Sequence, residues 1–131
     1  MTAFDLSQLN TRVACEEGAD LEVLHPVTKE KLGCVIRLIG ADADSYRDAM
    51  NRRVDARVAA LQRGKTATAE DNEREQIALL VAATRNWTGI VENGEALKFS
   101  EAEAKRIYTQ YPWLAEQVNA FITDRANFLR A

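Results

Sequence analysis

Histidine is almost missing from this chain: among 131 residues only His25 carries an imidazole. A general base needs an orienting partner and a nucleophile within reach. His25 stands before Pro26 at the end of an alternating stretch and reads as a strand-end residue instead. Cysteine is scarce too. Cys15 and Cys34 have no CxxC neighbour and cannot complete a zinc site with a lone histidine. They are expected as buried free thiols. The six glycines stand singly, so there is no GxGxxG and no P-loop to cradle a phosphate. GxSxG and HExxH are absent as well. No apolar run approaches the roughly 18–20 residues that cross a bilayer. The opening MTAFDLSQLN lacks the basic and apolar regions of a secretory signal, so a cytoplasmic setting is expected and no membrane partner.

What is present is balanced. Charged residues make up 28% and hydrophobic ones 47%, ordinary values for a globular domain. The formal net charge of −3 comes without the basic face that nucleic-acid binding usually requires. Acids and bases interleave instead, as in Arg52-Arg53-Val54-Asp55 and Glu73-Arg74-Glu75. Glu16-Glu17, Asp42 with Asp44, and Glu70-Asp71 sit at turns or helix starts, where capping and the helix dipole already account for a carboxylate. They are not read as an acid–base pair. No catalytic residue, metal or cofactor is expected. No linker or repeat divides the chain, so residues 1–131 are read as one domain. Its parts are an arm over 1–18, a β-hairpin over 19–40 and a helical part over 42–131.

The hairpin rests on alternation. Leu21, Val23 and His25 alternate with Glu22 and Leu24, and Pro26 marks the strand's end. In Leu32–Ile39, Leu32, Cys34, Ile36 and Leu38 share one face, and Val35, Arg37 and Ile39 the other. Two strands alone are marginal. The hairpin must therefore pack on helices or gain a third strand, for which the N-terminal arm or a partner subunit is the expected source.

Helices follow. Asp42 or Asp44 offers an N-cap, and Tyr46, Met50, Val54, Val58 and Leu61 draw one apolar stripe. Gly64 ends that helix. Thr68 caps the next, with Asp71 three residues on. Its stripe of Ile77, Leu80, Val81, Thr84, Trp87, Thr88 and Val91 predicts a single helix to about Val91 or Glu92, halted by Asn93-Gly94. Ser100-Glu101-Ala102-Glu103 is a capping box. It opens a short helix that buries Ala104, Ile107, Tyr108 and Tyr111. Pro112 ends that helix and suits the first turn of the last one, which places Leu114, Val118, Phe121, Ile122, Arg125 and Leu129 on one face. The fold class is α+β, mainly α: an N-terminal β-hairpin packed on a bundle of about four helices.

The stretch from Asn86 to Val118 holds both tryptophans, Trp87 and Trp113, with Phe99, Tyr108 and Tyr111 between them. Such rings are core material, yet Tyr and Trp also anchor interfaces. Part of the Tyr111-Pro112-Trp113 corner, or the adjoining last helix, is expected to reach solvent.

Several blocks carry a family resemblance. They are His25-Pro26-Val27-Thr28, Lys31-Leu32-Gly33, Ile36-Arg37-Leu38-Ile39-Gly40 and Asp44-Ser45-Tyr46-Arg47. Further on come Trp87-Thr88-Gly89-Ile90, Gly94, Leu97-Lys98-Phe99-Ser100, Tyr108, Tyr111-Pro112-Trp113-Leu114 and Gln117-Val118. In this order the chain resembles tail assembly chaperones of long-tailed bacteriophages and prophages, from about Gly18 to the last helix. Lys29-Glu30 stand where that pattern would carry a Thr-Gly turn. The resemblance implies a non-enzymatic protein of the host cytoplasm. It would keep the tape-measure protein soluble during tail morphogenesis and be absent from the mature virion. The tail-tube protein and further copies of the chain are additional expected partners. The client surface expected on this reading is Tyr108, Tyr111, Trp113, Leu114, Val118, Phe121 and Arg125. The next reading is another phage tail component, a tail-completion or connector protein.

Overall fold

A computed structural model describes residues 3–129. Strands β1 (Ala19–Leu24) and β2 (Lys31–Leu38) pair antiparallel, with Leu21 opposite Ile36 and Ala19 opposite Leu38. The alternation buries Ala19, Leu21 and Val23 from one strand and Ile36 and Leu38 from the other. The turn between them is fastened by His25, whose Nδ1 accepts from the amides of Val27 at 3.0 Å and Thr28 at 3.2 Å. Lys29 adopts φ 65° there. Left-handed backbone at a residue with a Cβ costs roughly 1–2 kcal/mol, so this turn asks for the glycine that the chain does not supply.

The third strand comes from an unexpected place. Helix α3 (Ala69–Ala83) opens with the expected capping box, Thr68 and Asp71 each accepting from the other's amide. It does not run on to Val91. It ends at Ala83, and Thr84–Thr88 forms β3, antiparallel to β2, with Trp87 opposite Ile36 and Thr84 opposite Leu38. Neither the arm nor a partner supplies this strand. The misleading signal was the three-residue spacing of Thr84 and Trp87. In a regular strand such residues face opposite ways. Here Arg85 is extra against β2, a bulge between Arg37 and Leu38, and it returns both buried side chains to one face.

Asn93-Gly94 is likewise not a helix stop. Their φ values of 51° and 81° are those of a type I′ hairpin turn, which Asn-Gly favours because both central residues need positive φ. The turn joins β4 (Val91–Glu92) to β5 (Glu95–Ala96). The part read as helical, 42–131, thus holds three short strands.

Helix α2 (Asp44–Gln62) corrects two further expectations. Neither Asp42 nor Asp44 caps it. Glu16, from α1 (Thr11–Glu17), reaches over and accepts from the Ser45 amide at 3.0 Å. Asp42 and Asp44 instead pair with Arg125 and Arg12. The apolar stripe also leaves the core. Successive steps of four residues advance around a helix by about 40° each, so the row drifts from the packed side to solvent. Tyr46 is 4% exposed, but Val54, Val58 and Leu61 are 50%, 48% and 53%. The seam against α3 is polar, with Arg53 and Arg57 both reaching Glu75.

Helices α4 (Glu101–Gln110) and α5 (Pro112–Thr123) close the core. Ser100 accepts from the Glu103 amide at 3.1 Å, while the Glu103 carboxylate turns to Arg106. Tyr108, Ile107, Val118 and Ile122 meet Ile36, Leu38 and Leu80 in one buried cluster. Inside it, the Thr84 hydroxyl donates to the Leu80 carbonyl and the Tyr108 hydroxyl to Thr84, each at 2.8 Å. Burial pushes the Tyr108 phenol up to about 12. The architecture is α+β, mainly α, with the N-terminal hairpin packed on the helices.

Candidate functional site

Between the sheet, the β4–β5 hairpin and the α4–α5 corner lies a cleft of about 570 Å³. Val23, Ile107 and Leu114, all buried, lie at its base. Leu32 and Cys34 from β2, Ile90 and Val91, Leu97, Tyr111 and Trp113 line the rest. Each is placed by a local rule. Pro112 starts α5 directly after α4, and Tyr111 and Trp113 on either side of it both line the cleft. Gly89 lets the chain leave β3 at φ 78°; a Cβ there would stand 2.7 Å from the Gly33 carbonyl oxygen. Trp87 backs the cleft wall without lining it. Its Nε1–H donates to the Leu97 carbonyl at 2.9 Å, and its ring meets Phe99 edge-on at 5.1 Å.

One acid belongs to the lining. Glu92, its side chain 17% exposed, accepts from the Tyr111 hydroxyl at 2.6 Å and from Arg106 at 2.9 and 3.3 Å. Arg106, and then Tyr111, hold the Glu92 carboxyl below its ordinary value. The same contact raises the Tyr111 phenol. Burial raises the Cys34 thiol, which makes it a sluggish nucleophile at neutral pH. The cleft can therefore hold apolar surface; no activated nucleophile lines it. A second hollow of about 650 Å³, between α2 and α3, is lined by Arg57, Lys65, Asp71, Arg74 and Glu75 among others and is far more charged.

The expected client residues do not form one face. Tyr108 and Val118 are 1% and 0% exposed, so their side chains belong to the core; Leu114, 6% exposed, reaches only the base of the cleft. The inner side of α5 is spent on α3, α4 and β1. Tyr111 and Trp113 are half-buried and line the cleft. Phe121 lies elsewhere, edge-on to Phe128 at 5.5 Å, beside a small hollow shared with Leu21 and Leu24. Arg125 is exposed and paired with Asp42 at 2.6 Å. Leu32, Cys34, Ile90, Val91 and Glu92 were missed. Reading Asn93-Gly94 as a hairpin turn would have brought Val91 and Glu92 into view.

No protein-family model matches this sequence, and neither a curated protein nor a solved structure matches it. Among the described residues, no group of three or more His, Cys, Asp or Glu could hold a metal ion. No helix among the described residues is long and apolar enough to cross a membrane.

Proposed function

We propose that the chain is a tail assembly chaperone of a long-tailed phage or prophage, holding the tape-measure protein soluble in the host cytoplasm before the tail tube forms. One observation supports this most. Of the residues that carry the resemblance, Leu32, Gly89, Ile90, Leu97, Tyr111, Trp113 and Leu114 all line the same apolar cleft. A helix with an exposed apolar stripe packs into such a groove. The work needs reversible contacts and no bond making, so the reading is of a non-enzyme that leaves before the virion is complete. The client surface is then the cleft, with Tyr111 and Trp113 at its rim and Leu114 at its base retained from the expected set, and the buried Tyr108 and Val118 belonging to the core.

Co-expression with the tape-measure protein of the encoding phage or prophage tests the proposal. Soluble yield of that protein rises and the two co-purify. Trp113→Ser, which alters only a half-buried rim residue, weakens the co-purification. An unchanged yield with no co-purification rejects the reading. The second reading, a tail-completion or connector component, predicts that the chain remains in purified particles, where peptide mass spectrometry would find it.

A further inference from the structure

The β4–β5 hairpin is the least secured wall of the cleft. Two-residue strands around a tight turn do not hold together alone. Val91 is 60% exposed, and Glu95 and Ala96 are exposed as well. At the base the hairpin is tied by the Leu97 amide, which donates to the Ile90 carbonyl at 2.9 Å, and by Trp87 on the Leu97 carbonyl. Further out, Glu92 grips Tyr111 and Arg106. The base is thus anchored in the core, whereas Glu92 fastens the outer part to the α4–α5 side.

We propose that the hairpin Val91–Ala96 is a latched lid on the apolar cleft, pivoting at Ile90 and Leu97 and held shut by Glu92 on Tyr111 and Arg106. Three features of the geometry carry this. The latch is made of side chains only and sits two residues beyond the pivot, joining the hairpin to residues of the α4–α5 side. The lid adds little buried surface of its own, so its position depends on that latch. The main buried cluster holds Trp87, Ile107 and Leu114 and takes no residue from 91–96, so breaking the latch removes no member of the core. The lid holds whatever occupies the cleft and does not depend on the proposed client.

The two thiols report on it separately. Cys34 lies on β2 within the cleft and is half-buried. Cys15 is 1% exposed, packed near Gly40 and Phe128 on the other side of the core. Local opening of the lid uncovers Cys34 alone; global unfolding uncovers both. The experiment measures iodoacetamide alkylation of each cysteine in the full chain by peptide mass spectrometry at neutral pH. Tyr111→Phe, which changes no charge, raises the Cys34 rate about tenfold, the equilibrium factor of one charge-assisted hydrogen bond. Glu92→Ala raises it further, and Cys15 stays slow in both. Glu103→Gln removes the other acid on Arg106, leaves the latch in place and leaves both rates unchanged. A Cys34 rate unmoved by Tyr111→Phe overturns the proposal, as does a rise that Cys15 follows in parallel. Should Glu92→Ala fail to fold, Tyr111→Phe decides alone.

Discussion

The side-chain amide of Gln117 pairs with the backbone of Leu24 as a neighbouring strand would. Its Nε2 donates to the Leu24 carbonyl at 2.6 Å, and its Oε1 accepts from the Leu24 amide at 3.0 Å. Leu24 is the last residue of β1, on the sheet's outer edge. Helix α5 thereby closes an edge that would otherwise present unpaired groups. Gln117→Leu keeps the size and removes both bonds, so two part-buried backbone groups lose their partners. A destabilisation of about 1–3 kcal/mol is expected, read from the shift of the urea midpoint. A change below about 0.5 kcal/mol would mean that water replaces the amide without loss.

Gly89 and Gly94 share positive φ values, 78° and 81°, yet predict different outcomes. At Gly94 a Cβ meets nothing within 4 Å, whereas at Gly89 it stands 2.7 Å from the Gly33 carbonyl oxygen. Gly94→Ala costs about 1–2 kcal/mol, the left-handed penalty alone. Gly89→Ala costs clearly more, because backbone atoms of β2 must also move. Thermal denaturation of the two variants side by side checks the order.

The Glu92 latch carries a pH signature. Its carboxyl is held below the ordinary value of 4.5 by Arg106 and Tyr111. A group whose folded pKa is depressed contributes stability that is present above the unfolded value and is lost as pH falls through the folded one. The urea midpoint of the parent protein therefore falls as pH drops below about 4.5. In Glu92→Gln part of that fall is missing, and the midpoint at neutral pH is lower. Parallel acid profiles for parent and variant would show that Glu92 contributes nothing to the linkage.

The drifting row on α2 separates two substitutions that look alike in sequence. Val58→Ser, on the solvent side, changes stability by no more than about 0.5 kcal/mol. Tyr46→Ala, at the buried end of the same row, costs about 3–5 kcal/mol, as for other large core rings. Equal losses at the two positions would place the whole row in an interface.

The rings of residues 86–118 were legible as a core and corner from composition alone, and the punctuation at Ser100 and Pro112 placed α4 and α5. The same letters misled between Thr84 and Ala96. A bulged strand repeats its buried residues every three positions, as a helix does, and only the presence of β2 alongside tells the two apart. Tyr108 was legible on the buried side of α4, but Leu114 and Val118 were visible as apolar and not as buried, since exposure depends on which element happens to lie opposite. Leu32, Ile90 and Glu92 were not legible as parts of one cleft because their segments are distant in the chain and meet only when β3 docks on β2.

Local rules thus settled much of this protein on their own: the β1–β2 alternation, the Thr68 and Ser100 caps, the Pro112 restart and a scarcity of reactive side chains. These depend on neighbours within four residues, where backbone geometry and hydrogen-bonding capacity act directly. The third strand, the remote cap that Glu16 places on α2, the Gln117 clasp and the cleft were decided in three dimensions. Each joins residues far apart in the chain, and the gain appears only once burial has brought them together.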